Sequence, residues 1–473
     1  MTSAADPPVP ATADRNALSK AALSVRGRLR LVLAIGLTGM LAAIAFHAFQ
    51  GSVLHRGYPW NSFLWRADLK YTDFYDVLRS ASLGDPYTIW SLYFPFTYVA
   101  FHPLSKLSWG WTLVVFDVIS IVALWGWICQ ALTRATRSLP LAATGAAVIL
   151  GTSYPLWLCI DRGNIEVGLV ALVCWFLYFA DRRRHTAALL CLLPAICLKL
   201  YPAALLGIYC RLGRIRYPLI AGAIFAVVTF ASLASFQHSW QIDLALWQAQ
   251  LSKFRNQYLI GDHGMGASAS LWTPMKLAYM YGMLGYATWA DQPLPDPRVL
   301  ISHQHQMLKV YGYVMVALAG LVTWHVTIVE TELRRKLMIL LIYMVISAPG
   351  GVDYKLLHVT PILVWSICLS TRRPGDRLVT VLLALLTIPK KYWFFPYVVT
   401  DSGAMDSSIA VVVNPLLLLV SFVVLCWDGW RASTARTRQR NWKLATFAGF
   451  GKANSRPLTR QERRRKTRTA QSA

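Results

Sequence analysis

Four acidic side chains in one polar stretch are the first candidates for chemistry. They lie in and just after the sequence that runs from residue 66 to residue 79: Asp68, Asp73, Asp76 and Asp85. Apolar residues among them recur at spacings of three and four: Tyr71, Phe74, Val77, Leu78 and Ala81. This pattern predicts an amphipathic helix on a membrane surface. A carboxylate there, with a pKa raised by partial burial, could remove a proton from a hydroxyl, whereas the alternative is a solvated acid or a helix cap.

Further along the chain, polar side chains interrupt apolar sequence. Asp161, Arg162, Asn164 and Glu166 lie between two apolar segments, with almost no room for a loop. Ionisable groups at membrane depth are costly, and they usually serve a function or pair with one another. Asp161 and Arg162 could pair with each other, whereas Asn164 and Glu166 have no obvious neighbour in the sequence.

Lys199 lies inside another apolar segment, three residues before Pro202. A buried lysine needs an anionic partner, which is either a protein carboxylate or the phosphate of a ligand. Pro202 is expected to break the helix and to free backbone groups that could line a cavity. The sequence leaves both kinds of partner open.

A last group of polar residues, Asp353, Lys355 and His358, joins two apolar segments. Lys355 suits phosphate binding, although a lysine that extends its ammonium group to the membrane surface is the commoner case. His305 lies in a second long polar stretch, where it is a candidate for acid–base chemistry or phosphate binding, or an ordinary surface histidine.

The elements that must position these groups are apolar segments. The chain is 56% hydrophobic, yet its formal net charge is +25. A soluble protein this apolar would expose large apolar patches. A soluble nucleic-acid-binding protein would not need nineteen tryptophans with a charged fraction of only 15%. A membrane protein explains both values, because its apolar segments face lipid while Lys and Arg collect in cytoplasmic loops and tails.

Apolar segments of about 17–22 residues predict an all-α polytopic membrane protein with about twelve transmembrane helices. The expected spans are 31–49, 90–107, 111–131, 140–159, 165–181, 186–208, 217–236, 309–328, 337–348, 356–370, 376–390 and 409–428. Residues 1–25 are expected to be a disordered cytoplasmic N-terminus, 26–430 the membrane body, and 431–473 a basic cytoplasmic tail. Two termini on one side require an even number of spans.

Two long stretches interrupt the apolar pattern, at about 50–89 and 237–308. Alternation from a cytoplasmic N-terminus predicts that both are external loops, where a scaffold of this kind carries its chemistry. The arginines at 182–184 then fall outside, against the positive-inside rule. A re-entrant 90–107 would bring them inside but would move the arginines of 211–216 out, so the sequence does not decide between these topologies.

Cysteine spacing gives no support for a metal site. The eight cysteines lie in or beside apolar segments, where cysteine behaves as a small hydrophobic residue. The sequence contains neither a Cys-x-x-Cys nor a His-Glu-x-x-His pattern. We therefore expect no metal in the site and no other cofactor.

The motifs of the first loop resemble those of the GT-C glycosyltransferases. Asp73-Phe-Tyr followed by Gly84-Asp-Pro-Tyr is similar to the first external loop of these enzymes. Tyr93-Phe-Pro-Phe with His102-Pro-Leu resembles the Tyr-Pro-Pro…Pro-Leu element that opens their second span, although Phe96 stands where a second proline is usual.

The later motifs resemble, more narrowly, glycosyltransferase family 87, the polyprenyl-phosphate-sugar-dependent mannosyltransferases and arabinofuranosyltransferases that include the phosphatidylinositol-mannoside mannosyltransferases. Arg162-Gly-Asn is similar to its Gly-Gln/Asn element and Lys199-Leu-Tyr-Pro to its Lys-x-x-Pro. Ser347-Ala-Pro, followed by Tyr354, resembles its late Ser-Pro element. The resemblance covers about residues 68–370, and it rests on the order of the motifs, because each motif is short.

The resemblance implies sugar transfer from a polyprenyl-monophosphate donor to a hydroxyl of a glycolipid or lipid-linked glycan, at the external face of a bacterial inner membrane. One aspartate would be the general base of a single inverting displacement. Asp73 and Asp68 compete for that role, and the Phe-Tyr context favours Asp73. The donor phosphate or sugar would be bound without a metal by a set of polar residues: Arg162, Asn164, Lys199, His305, Lys355 and His358. The partners are then lipids and lipid-linked sugars, with no nucleic acid.

Two other functions fit a polytopic protein with long loops. A polysaccharide polymerase of the O-antigen type would need essential arginines in its external loops, where the second loop offers only Arg255 and Arg298. A transporter or flippase would have symmetry-related broken helices in two halves. We find no internal repeat, and the two long loops are placed asymmetrically.

Overall fold

The computed structural model describes residues 13–211, 213–260, 268–290, 297–369, 373–397 and 405–453. The chain divides into two units, residues 1–426 and 427–473. The described part of the second unit, which reaches residue 453, is helical throughout. Residues 1–12 of the expected disordered N-terminus and 454–473 of the expected basic tail lie outside the described residues.

The described residues form mostly α-helices. In chain order these are α1 Ala13–Ser52, α2 Thr72–Ser82, α3 Pro95–Ser105, α4 Trp109–Thr136, α5 Leu139–Gly151, α6 Tyr154–Arg162, α7 Glu166–Asp181, α8 His185–Leu198, α9 Gly207–Arg211, α10 Arg216–Ala234, α11 Trp240–Phe254, α12 Trp272–Trp289, α13 Pro297–Trp324, α14 Leu333–Ser347, α15 Val359–Cys368, α16 Asp376–Leu386 and α17 Ala410–Ala453. The first helix therefore begins inside the segment 1–25 that the sequence predicts to be disordered.

Short irregular helices and one small sheet complete the fold. The 3-10 helices are Ala67–Leu69, Pro86–Thr88, Tyr201–Leu206 and Asp353–His358, and the π-helices are Arg255–Ile260 and His325–Val329. Strands β1 Phe394–Tyr397 and β2 Met405–Ser408 form an antiparallel pair in which Phe394 is opposite Ser408.

Five described helical segments are long and apolar enough to cross a membrane: Val25–Ser52, Trp109–Thr136, Arg216–Ala234, Ile301–Val329 and Ala410–Ala435. Helices α5 and α6, which meet at an angle of 59°, count as a sixth if they form one broken span. These segments expose large apolar side chains, such as Trp111 on α4 and Val316 on α13. Outward apolar faces of this length suit a lipid environment, so an all-α membrane protein is confirmed.

The predicted count of about twelve spans is not confirmed. Six predicted segments form helices of only 10 to 16 residues: 90–107, 165–181, 186–208, 337–348, 356–370 and 376–390. At 1.5 Å per residue even sixteen residues extend only about 24 Å, less than the bilayer core of about 30 Å. Every residue of α15 is buried. A helix such as α15 is apolar although protein covers it, and hydropathy does not separate that environment from lipid.

The first long stretch contains the amphipathic helix that the sequence predicts. Helix α2 buries Phe74, Val77 and Leu78 in a small hydrophobic core. Phe74 meets Phe101 of α3 with ring centroids 5.8 Å apart. Burial of side chains of this size stabilises a fold by about 1.5–3 kcal/mol each, so this small core fixes α2 on the membrane body.

Candidate active site

Helix α2 presents Asp73 in its first turn, beside the apolar residues that it buries. The helix begins after Tyr71, which has the left-handed φ of 60° and thereby turns the chain into the helix. The neighbouring Phe74 is fully buried, whereas the Asp73 side chain keeps 18% of its surface exposed. Asp73 is therefore anchored by the core and still accessible from outside it.

A glycine turn at the end of α6 brings two polar residues to Asp73. Gly163 has a φ of +63°, and a Cβ at this position would lie 3.0 Å from Phe74 Cβ and 3.1 Å from Tyr71 Cα. Only glycine fits this approach without strain. On either side of it, Arg162 forms an ion pair with Asp73 Oδ1, and Asn164 Nδ2 donates to Asp73 Oδ2 over 2.7 Å. The carboxylate is thus oriented by one donor on each oxygen.

A chain of hydrogen bonds continues from Asn164 into the interior. Lys199 Nζ donates to Asn164 Oδ1 at 3.2 Å and to Glu166 Oε2 at 2.7 Å. The other oxygen of Glu166 contacts the Tyr201 hydroxyl and lies 2.8 Å from His358 Nε2. Glu166 and His358 are completely buried, so the carboxylate serves as the internal counter-ion of Lys199.

The predicted helix break at Pro202 is confirmed, and it positions Lys199. Helix α8 ends at Leu198, Lys199 is extended, and a 3-10 helix begins at Tyr201. The Lys199 ammonium group lies 5.3 Å from the centroid of the Tyr93 ring and 5.5 Å from that of Tyr354. Both contacts have the geometry of cation–π interactions, which hold the charge at the edge of the membrane body.

Lys355 is the cation of the site that lacks an anionic partner. Its ammonium group lies 4.8 Å from the centroid of the Tyr201 ring. Among the described residues, no carboxylate oxygen lies within 4.0 Å of it. Burial lowers the pKa of Lys355 to about 8, although the nearby Glu166 opposes this shift. An anion at this position would restore the charge balance.

The residues described so far form one connected group. We call this group the Asp73 cluster: Asp73, Arg162, Asn164, Glu166, Lys199, Tyr201, Lys355 and His358.

The structure brings together six of the eight predicted site residues: Asp73, Arg162, Asn164, Lys199, Lys355 and His358. Asp68 lies apart, since it pairs with Arg66 on the surface with 59% of its side chain exposed. His305 lies on α13, and among the described residues it shares no hydrogen bond or ion pair with the cluster. The roles of all eight residues stay predictions.

Sequence adjacency was misleading for Asp161. Its side chain does not pair with Arg162, because Asp161 Oδ2 accepts a hydrogen bond from the Trp65 backbone nitrogen over 2.9 Å. Arg162 is thereby left for Asp73 and also lies 5.1 Å from the centroid of the Trp65 ring. The sequence singled out Glu166 as a buried acid without a neighbour, but its partners are 33 and 192 residues away, beyond the reach of any local pattern.

Comparison with known families gives a match between residues 91–349 and the model of glycosyltransferase family 87. This match covers more than half of the 473 residues. The chain belongs to glycosyltransferase family 87. It is a membrane glycosyltransferase of the GT-C type, and this assignment favours sugar transfer over the transporter and polymerase hypotheses. No curated protein and no solved structure matches the chain.

The family match covers only some of the residues that meet in the Asp73 cluster. The matched residues of this family 87 transferase include Arg162, Asn164 and Lys199, but they begin after Asp73 and end before Lys355 and His358. The convergence of all six residues therefore adds an observation that the match does not contain.

A second buried group of charges, in which the sequence indicated Asp353 but not Lys391, lies next to the cluster in this family 87 transferase. Asp353 is fully buried and accepts hydrogen bonds from the Tyr154 hydroxyl at 3.3 Å and from Asn414 Nδ2 at 3.2 Å. Burial lowers the pKa of Lys391 to about 8, and Asp353 opposes that shift. Lys391 also lies 5.6 Å from the centroid of the Trp65 ring that Arg162 contacts. A further lysine therefore lies close to Arg162, with Asp353 as its acidic neighbour.

Proposed function

We propose that this enzyme transfers a sugar, mannose or arabinofuranose, from a polyprenyl-monophosphate donor to a hydroxyl of a glycolipid or lipid-linked glycan. The observation that carries the proposal is the Asp73 cluster, in which one accessible carboxylate lies beside three cations. The basic residues that precede the first span favour a cytoplasmic N-terminus, and with it an external site on the bacterial inner membrane.

Asp73 is the general base. Each carboxylate oxygen has two lone pairs, and Arg162 and Asn164 use one on each oxygen. A lone pair is left for the acceptor hydroxyl. As Asp73 takes the proton, the hydroxyl oxygen bonds to the anomeric carbon, and the bond from that carbon to the phosphate oxygen breaks. The phosphate departs with the electron pair, so the configuration at the anomeric carbon inverts.

The cations bind the phosphate and stabilise the charge that grows on it as it leaves. Lys355 has no carboxylate partner among the described residues, so it gains an ion pair when the phosphate arrives without losing another. Lys199 and Arg162 are already oriented by Glu166 and Asp73, and they add charge-assisted hydrogen bonds at the same place. This arrangement supports transfer with protein cations where nucleotide-sugar enzymes use a divalent metal.

Glu166 and His358 are positioning residues. Glu166 holds Lys199 at 2.7 Å, and His358 donates to the other oxygen of the same carboxylate. Since both side chains are fully buried, they are not exposed to an acceptor hydroxyl. Their part is to keep Lys199 charged and fixed where the donor phosphate binds.

The test compares two aspartates of the same loop. Asp73→Asn keeps the size and the contact with Arg162 but removes the base, so the rate of transfer from a polyprenyl-phosphate sugar should fall by about 10²–10⁴-fold. Asp68→Asn removes the same charge at the surface and should leave the rate within about twofold of wild type. Equal rates in both variants, measured per folded enzyme, would remove Asp73 from this role.

A further inference from the structure

Two buried carboxylates and a histidine meet at a place that sugar transfer does not use. Asp85 caps the 3-10 helix Pro86–Thr88, and Asp243 lies in the first turn of α11. Between them, His238 Nδ1 lies 2.6 Å from Asp85 Oδ2 and 3.5 Å from Asp243 Oδ1. The three ligand atoms lie within 4.8 Å of one another.

Three of the four carboxylate oxygens of this group lack a hydrogen-bond donor among the described residues. Asp243 is completely buried, and neither of its oxygens has a hydrogen-bond partner among the described residues. Asp85 Oδ1 accepts from the Tyr87 backbone nitrogen, but Oδ2 points at His238 without hydrogen-bond geometry. Buried unpaired carboxylates close together are costly, and a cation between them removes that cost.

We propose that Asp85, His238 and Asp243 bind one divalent cation of the first transition row. Two carboxylates and one imidazole are ligands that suit Mn²⁺ or Zn²⁺, and the two negative charges balance the ion. Neighbouring ligand atoms around such an ion lie about 3.0–3.4 Å apart. The two separations from His238 Nδ1, 2.6 and 3.5 Å, lie on either side of this range. His238 keeps 43% of its side chain exposed, which gives the ion a path from solvent and room for water ligands.

The ion fastens the end of the first long stretch to the start of α11. These segments already meet, because the Gln237 backbone nitrogen donates to the Gly84 carbonyl over 3.0 Å. Asp85 is connected to the sugar-transfer site through two tyrosines. The Tyr87 backbone nitrogen donates to Asp85 and its hydroxyl donates to the Tyr93 carbonyl, and the Tyr93 ring lies beside Lys199. The cation is structural, and it takes no part in the sugar-transfer step proposed above.

The experiment is a Mn²⁺ titration of the full-length protein in detergent after removal of metal with EDTA, read from the electron paramagnetic resonance of free Mn²⁺. We expect one site per chain, with at least tenfold weaker binding in Asp243→Asn and in His238→Gln. The second variant changes an exposed side chain and protects the result from a folding failure. Asp68→Asn removes the same charge from the surface and should bind as wild type does.

A thermal measurement separates a bound ion from carboxylates that share a proton. If the ion binds, Mn²⁺ raises the Tm of wild type above its value in EDTA, because only the folded state offers the site, and Asp243→Asn does not respond. If wild type binds no Mn²⁺ and no Zn²⁺, or if its Tm is the same with EDTA and with either metal, the carboxylates share a proton and the proposal is wrong. Binding that both site variants retain would reveal an ion elsewhere and would also overturn it.

Discussion

Two groups of buried charge in this transferase differ in whether each of their cations has a carboxylate partner. In one, Arg373 donates to both oxygens of Glu330, at 2.5 and 2.8 Å. In the same group, Arg335 pairs with Asp376 at 2.6 Å and with Glu332 at 3.0 Å. We call these five residues the Glu330 network. Each guanidinium group here is held by carboxylates of the protein itself, so neither of these arginines needs a ligand as its anionic partner.

The Asp73 cluster is matched less completely. Asp73 and Glu166 face three cations, and Lys355 has no carboxylate within 4.0 Å among the described residues. Since an unpaired buried charge is costly, a fold retains one where a ligand completes the balance. The comparison teaches that a buried cation without a carboxylate partner among the described residues, rather than the presence of buried charge, distinguishes a candidate phosphate site from a structural ion network.

The largest effect is expected from a substitution that breaks the Glu330 network. Arg373→Met leaves the buried Glu330 carboxylate without its cation, and the loss of one partner of a buried pair costs about 3–5 kcal/mol. We expect a large fall in the unfolding midpoint in detergent, with an unchanged kcat per folded enzyme. Arg66→Met, at the exposed pair with Asp68, is the control and should unfold like wild type. A lower kcat in the folded Arg373→Met enzyme would contradict the structural role.

A substitution of Lys355 in the Asp73 cluster should have the reverse effects, with a loss of donor affinity and no loss of stability. Lys355→Met removes one charge-assisted hydrogen bond to the donor phosphate, which is about 1.5–3 kcal/mol or roughly 10–150-fold in affinity. The unfolding midpoint should stay the same or rise, because the ammonium group has no protein anion to leave behind. Donor KM and thermal unfolding of the same preparation measure both. If the variant is destabilised but keeps the wild-type donor KM, Lys355 stabilises the fold and does not bind the donor phosphate.

The turn that joins the cluster to α2 should respond to a single methyl group. Gly163→Ala adds a Cβ 3.0 Å from Phe74 Cβ in a backbone conformation that costs an L-residue about 1–2 kcal/mol. Arg162 and Asn164 must then move away from Asp73, so kcat should fall about tenfold or more, because small misplacements of catalytic groups are costly. Gly151→Ala, in α5 where nothing lies within 4 Å of an added Cβ, is the matched control. Equal activity in both variants would contradict this account of the turn.

The smallest effect is a dependence on pH. Burial lowers the pKa of Lys355 to about 8, so its charge is present below that pH and is lost as the pH rises through it. If the neutral amine does not hold the phosphate, kcat/KM should fall about fivefold between pH 8 and pH 9. Lys355→Arg keeps its charge throughout this range and should extend activity to higher pH. A wild-type profile that is flat to pH 9 would exclude Lys355 from phosphate binding.

The sequence predicted those parts of the molecule that follow from short-range patterns. The spacing of Phe74, Val77 and Leu78 predicted α2, and long apolar runs predicted the five helical segments of the described residues that are long and apolar enough to cross a membrane. Charges in apolar sequence indicated Arg162 and Lys199 as site residues, and the structure brings both to Asp73.

The remaining features depend on contacts between distant residues. The link from Glu166 to His358 spans 192 residues, and no periodicity encodes it. The apolar sequence of α15 is the same whether lipid or protein covers it, so hydropathy alone does not establish the predicted number of spans. For Asp161 the sequence suggested the wrong partner: its neighbour Arg162 does not pair with it, and its carboxylate accepts a hydrogen bond from the distant Trp65 backbone nitrogen.

The most direct test of the central claim is a structure of the wild-type enzyme with a polyprenyl-monophosphate bound. Our account predicts the phosphate within hydrogen-bond distance of Lys355 and Lys199, with Asp73 facing the open side where a sugar and its acceptor hydroxyl would meet. A phosphate bound away from these cations, for example beside Arg66 and Asp68 at the surface, would contradict it.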